Sequence, residues 1–119
     1  MKSRKHEFGR HYLVEFTGCD PEPLARVEVL RPLFLQAARD SGATILGSHF
    51  HQFEPQGVSA MIFIAESHFS IHTWPQDGYA AFDVLTCGTM FPERAIDFLK
   101  QGLLARKAEV SVMSRGFDE

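Results

Sequence analysis

Cysteine is scarce. Cys19 and Cys87 are the only two in 119 residues, and they stand far apart. That excludes a disulfide-stapled scaffold and favours a reducing compartment, so a cytoplasmic location is expected. No run of about 20 apolar residues exists to span a bilayer. The basic residues Lys2, Arg4, Lys5 and Arg10 are mixed with Glu7 and precede no apolar core, so no signal peptide is visible. An excess of one charge is missing too. The net charge is −3 and the pI near 6.0, which gives no electrostatic footprint for nucleic acid or an anionic membrane. Repeats, linkers and low-complexity tracts are absent. What remains is one domain, 45% hydrophobic, with a modest core that dimerisation would enlarge.

The order of elements can be read from periodicity. The first ten residues are polar and read as loose, and HYLVEF (11–16) alternates as a strand. After the turn TGCDPEP, Leu24, Val27, Leu30, Phe34, Ala37 and Ala38 recur at helical spacing, with Pro32 as a candidate kink and Gly42 as the stop. TILGSHFHQF and GVSAMIFIA read as a hairpin closed by EPQG. HFSIHTW and YAAFDVLTC are further strands, separated by a turn at Pro75 and Gly78. A helix follows from Pro92, with Ala95, Ile96, Leu99, Leu103 and Leu104 apolar, and AEVSVMS is a last strand. This order predicts an α+β fold: a mostly antiparallel sheet with helices on one face.

One stretch carries unusual chemistry. Residues 64–88, IAESHFSIHTWPQDGYAAFDVLTCG, hold Glu66, Ser67, His68, His72, Trp74 and Cys87 between apolar positions. Serine is a poor nucleophile until a base or geometry activates it. Ser59 lies eight residues before Ser67 and His72 five after it, so a fold-back could bring hydroxyls and imidazole together. The glycine-flanked serine of a nucleophile elbow is missing. His49 and His51 share a strand face, as do His68 and His72. With Cys87 they offer metal donors, but neither CxxC nor HExxH is present, so no metal is expected. Cys87 reads as a proton donor, a nucleophile or a small buried hydrophobe, and Cys19 as structural. Phe53 and Trp74 suit either a planar ligand or core packing.

The run ESHFSIHTWPQDGYAAFDVLTCG, preceded by GRHYLVEFTGCD and SGATILGSHFHQFEPQGVS and followed by SRG, resembles the prokaryotic S-adenosylmethionine decarboxylase proenzymes. The likeness covers most of the chain in the same order. It implies a two-layer α/β sandwich that associates as a homodimer with active sites near the interface. It implies self-cleavage at Glu66–Ser67 into a β chain of residues 1–66 and an α chain of residues 67–119. Ser67 would become a covalently bound pyruvoyl group, the cofactor, whose carbonyl condenses with the amine of a small amino-acid-type substrate. His72 would be the base in processing and Ser59 its oxyanion or ester partner, with Cys87 the proton donor in turnover. Phe53 and Trp74 match an adenine-stacking pair.

One position departs from the pattern. The family usually has a glutamate after TWP to hold the ribose hydroxyls, and here Gln76 stands there. Leu85 likewise replaces a common phenylalanine. The leading expectation is decarboxylation of S-adenosylmethionine for polyamine synthesis. A decarboxylase of the same ancestry acting on ornithine or arginine is the alternative, since neither substrate needs a ribose clamp. A non-enzymatic metal- or ligand-binding module that uses the histidines is the third.

Overall fold

A computed structural model describes residues 5–65, 67–86 and 88–118. Six strands form one antiparallel sheet: β1 (Lys5–Thr17), β2 (Ile45–Gln52), β3 (Val58–Ile64), β4 (Ser67–Trp74), β5 (Tyr79–Thr86) and β6 (Lys107–Asp118). Their order in space is β2-β3-β4-β5-β1-β6. Helices α1 (Pro21–Ala25), α2 (Val27–Asp40) and α3 (Pro92–Gly102) complete the molecule, as the α+β reading expects.

Alternation decides which face is dry. Val58, Ala60, Ile62 and Ile64 on β3, Phe69 and Ile71 on β4, and Ala80, Phe82 and Val84 on β5 are all buried. They meet Leu24, Leu30, Phe34, Ala37, Ala95 and Leu99 from the helices. Phe34 stands at the centre, edge-on to Phe50, Phe69 and Phe82 with ring centroids 5.9–6.4 Å apart. Such T-shaped contacts favour a unique packing beyond the area they bury. Among the described residues no helix lies on the opposite face of the sheet, where the motif side chains His68 and His72 stand with Ser59 and Asp83.

Two expectations need correction. The first ten residues are not all loose, because β1 already begins at Lys5. Its first half pairs with β6, from Lys5 opposite Asp118 to Arg10 opposite Ser114. Most of both segments is exposed, so no polar–apolar alternation marks them as strands. The helix expected from Leu24 is broken at Arg26, whose φ of −129° and ψ of 140° are extended. Gln52 makes that break possible. Its side-chain oxygen accepts from Val27 N at 2.7 Å, and its Nε2 donates to Ala25 O at 2.8 Å. Pro32 lies inside α2 on an exposed turn, where the carbonyl it leaves unbonded can turn to water.

Candidate active site

The β3–β4 register makes Ser59 and His72 direct cross-strand partners. Ser59 Oγ lies 2.8 Å from His72 Nδ1. The contact occupies one ring nitrogen and orients the imidazole, which leaves Nε2 for a reacting group. His72 is exposed.

Beside this pair is a cavity of about 250 Å³, lined by Phe53, Gln56, Gly57, Ser59, His72, Thr73, Trp74, Pro75 and Gln76. Each part has a support. The loop bearing Phe53 and Gln56 is closed by Phe53 N donating to Gly57 O at 2.8 Å, and Gln52 Nε2 donates to the same carbonyl at 3.0 Å. Thr73 Oγ1 donates to Leu24 O at 2.7 Å and accepts from Val58 N at 2.9 Å, which fixes the floor. Gln76 sits in a 3-10 turn, Pro75–Asp77, that ends on Gly78 in the left-handed region at φ 58°. A Cβ at Gly78 would stand 3.0 Å from Cys19 O, so both conformation and space call for glycine. Trp74 and Phe53 are 41% and 48% exposed, so neither is core packing.

Ser67 is elsewhere. It opens β4 opposite Ile64, half-buried, five residues along the strand from His72. At the rise of an extended chain that is about 16 Å. The structure therefore unites Phe53, Ser59, His72, Trp74 and Gln76 but does not bring Ser67 of the same chain to them. Glu66 and Cys87 lie outside the described residues. Thr86 and Gly88, on either side of Cys87, line a second cavity of about 430 Å³ with Tyr12 and Phe91.

The open sheet face holds a network that the sequence did not announce. Asp83 on β5 accepts from Ser70, from His11 Nε2 at 2.5 Å and from His68 Nε2 at 3.2 Å. Burial pushes the Asp83 carboxyl up, but the hydrogen bonds from His11, Ser70 and His68 outweigh it and hold the carboxyl below its ordinary 3.8. Arg115 Nη1 lies 3.0 Å from His11 Nδ1. Since arginine can only donate, Nδ1 accepts and the proton of a neutral His11 sits on Nε2. His11, His68 and Asp83 are close enough to share a cation. A metal-bound histidine, however, gives its second N–H to an acceptor. A guanidinium in that place, with Nε2 protonated, suits a hydrogen-bond network and not a metal centre. His49 and His51 lie beside Ser59 and His72 on the same face.

Sequence reasoning missed Gln52, Thr73 and His11, and gave no role to Asp83. Strand order reveals the pair His11 and Asp83, which are 72 residues apart and meet because β1 lies beside β5, while Gln52 and Thr73 show their roles only through the helix backbone groups they bond.

A family profile described as S-adenosylmethionine decarboxylase matches residues 10–116. The chain is 47% identical over 112 residues to the S-adenosylmethionine decarboxylase proenzyme of Thermococcus kodakarensis, covering 93% of this chain and 78% of that one. It is 48% identical over 113 residues to the proenzyme of the same name from Thermotoga petrophila, covering 93% and 87%. Among solved structures, the adenosylmethionine decarboxylase of Aquifex aeolicus superposes with a TM-score of 0.87 at 36% identity, over 95% of this chain and 94% of that one.

Proposed function

The chain belongs to the S-adenosylmethionine decarboxylase family, and from that premise we propose that it is a self-processing, pyruvoyl-dependent decarboxylase of S-adenosylmethionine that works as a homodimer. The observation that carries the reading is the Ser59–His72 pair at the wall of the Phe53–Trp74–Gln76 cavity. The names of the relatives carry S-adenosylmethionine and lend nothing to the ornithine or arginine alternative.

Processing uses the chain's own groups. Ser67 Oγ attacks the Glu66 carbonyl, the C–N bond between them breaks, and an ester replaces the amide. His72 Nε2 then takes the α-proton of residue 67, and the Glu66 carboxylate leaves with the Oγ. Water adds to the dehydrated residue and ammonia departs, so the atoms balance. Ser59 steadies His72 and donates to the ester oxygen. Once formed, the pyruvoyl carbonyl supplies the electron sink for loss of CO₂. Cys87 donates the proton that ends turnover, and its thiol must stay protonated for that. Phe53, Trp74 and Gln76 receive the nucleoside.

The distance along β4 argues for the dimer. A His72 about 16 Å from the Ser67 of its own strand must serve the Ser67 of a second copy. The open sheet face, where Leu13, Met61, Phe63 and Met113 are exposed around the polar residues, is the surface for that copy. Among the described residues no helix is long and apolar enough to cross a membrane.

The direct test is intact-mass analysis. The wild-type protein should separate under denaturing conditions into residues 1–66 and 67–119, with a carbonyl at position 67. Ser67→Ala has no oxygen to attack with and should remain one chain without decarboxylase activity. Two fragments from Ser67→Ala would remove the mechanism.

A further inference from the structure

We infer that Tyr79 and Glu15 are positioning residues for Trp74, holding its indole as one wall of the cavity and leaving a single face for a planar ring; the inference rests on the reading of Trp74 as a substrate contact. Tyr79 is the cross-strand partner of Trp74, and the two bracket the turn that carries Gln76. Their rings stack, with centroids 5.2 Å apart and planes 24° from parallel. The far end of Tyr79 is tied as well, because its hydroxyl donates to the Glu15 carboxylate on β1. That hydrogen bond first, then burial and the nearby negative charge, pushes the phenol up to about 12. The hydroxyl thus keeps its proton, and the bond its donor, throughout the working pH range.

Tyr79 is therefore held from two sides, by an indole on its own hairpin and by a carboxylate on the next strand. Its ring covers one face of Trp74. The indole is nevertheless 41% exposed and lines the cavity with Phe53, so the remaining surface is what a ligand meets. A ring that stacked on Trp74 without this backing would have to order the indole as it bound, and ordering a free side chain costs affinity. Glu15 and Tyr79 remove that cost before substrate arrives.

Trp74 is the only tryptophan in the chain, so its fluorescence reports this ring alone. The experiment uses the processed protein with Tyr79→Phe, which keeps the ring and removes the hydroxyl, and Glu15→Ala, which removes the acceptor. Both should make Trp74 more accessible to acrylamide and lower its anisotropy. Both should raise KM for S-adenosylmethionine by about two- to tenfold, the range of one lost hydrogen bond, with a smaller change in kcat. The double variant should be no worse than the poorer single, since the two residues act through one bond. Unchanged quenching and anisotropy in both singles overturns the positioning role, whatever KM does. Altered fluorescence with an unmoved KM overturns instead the assignment of Trp74 to substrate.

Discussion

Gln76 is where a single side chain decides most. It lines a cavity whose described residues include no carboxylate, and Gln56 is the only other amide there. A neutral amide still accepts from a ribose hydroxyl, but a charged acceptor does so more strongly. Gln76→Glu should therefore lower KM for S-adenosylmethionine by up to about tenfold. Steady-state kinetics against S-adenosylmethionine, ornithine and arginine in parallel will decide. An unchanged KM together with wild-type turnover of a free amino acid would sink the ribose reading. Asp83 is a second such position. Its lowered pKa means that it stabilises the fold above its unfolded value near 3.8, and that this contribution fades as pH falls through the lower folded value. Asp83→Asn should cost about 1–3 kcal/mol at neutral pH, and the gap to wild type should narrow below about pH 4. Urea melts of the two proteins across pH 3–7 will show whether it does.

Gln52 connects three elements, capping α2, bonding the end of α1 and bracing the loop that carries Phe53. Gln52→Ala takes the partner from Val27 N, while Ala25 O and Gly57 O keep their bonds from Gly57 N and Phe53 N, and should lower stability by about 1–3 kcal/mol, as read by denaturant unfolding, while raising KM through the loosened loop. Nothing local in the sequence marks this residue, because its partners lie 25 and 27 positions away. Other elements were legible for the opposite reason. β3 and β5 each bury one face, so alternation identifies them, and EPQG marks the turn between β2 and β3, whereas Ser59 meets His72 only through the β3–β4 register. The start of β1 and the end of β6 that pairs with it are wet on both faces and left no pattern to read, whereas AEVSVMS in β6 was legible as a strand. The Arg115–His11–Asp83–His68 network was illegible because it depends on β1 lying between β5 and β6. The motif named Ser67 and His72 together, but only the strand geometry sets them at opposite ends of β4.

At the scale of the whole molecule, that separation makes a test of the dimer. Ser67→Ala and His72→Ala chains should each fail to process alone. Refolded together they should form mixed dimers, in which an intact Ser67 on one copy would meet an intact His72 on the other. The His72→Ala chain should then be cut, and the yield of its two fragments on a denaturing gel should follow the share of mixed dimers. If neither chain is cut in the mixture, the site belongs to one chain. The order of the strands has a further consequence. A cut between Glu66 and Ser67 leaves β1, β2 and β3 on one piece and β4, β5 and β6 on the other. In the sheet these interleave, so the β3–β4, β5–β1 and β1–β6 seams all join one piece to the other. β1 is clasped on both sides by strands it no longer shares a chain with. The two pieces are woven and not merely adjacent, and neither owns a whole sheet. Cleavage at that bond would turn one chain into a pair that must find each other, so that native structure, once lost, would return only by encounter.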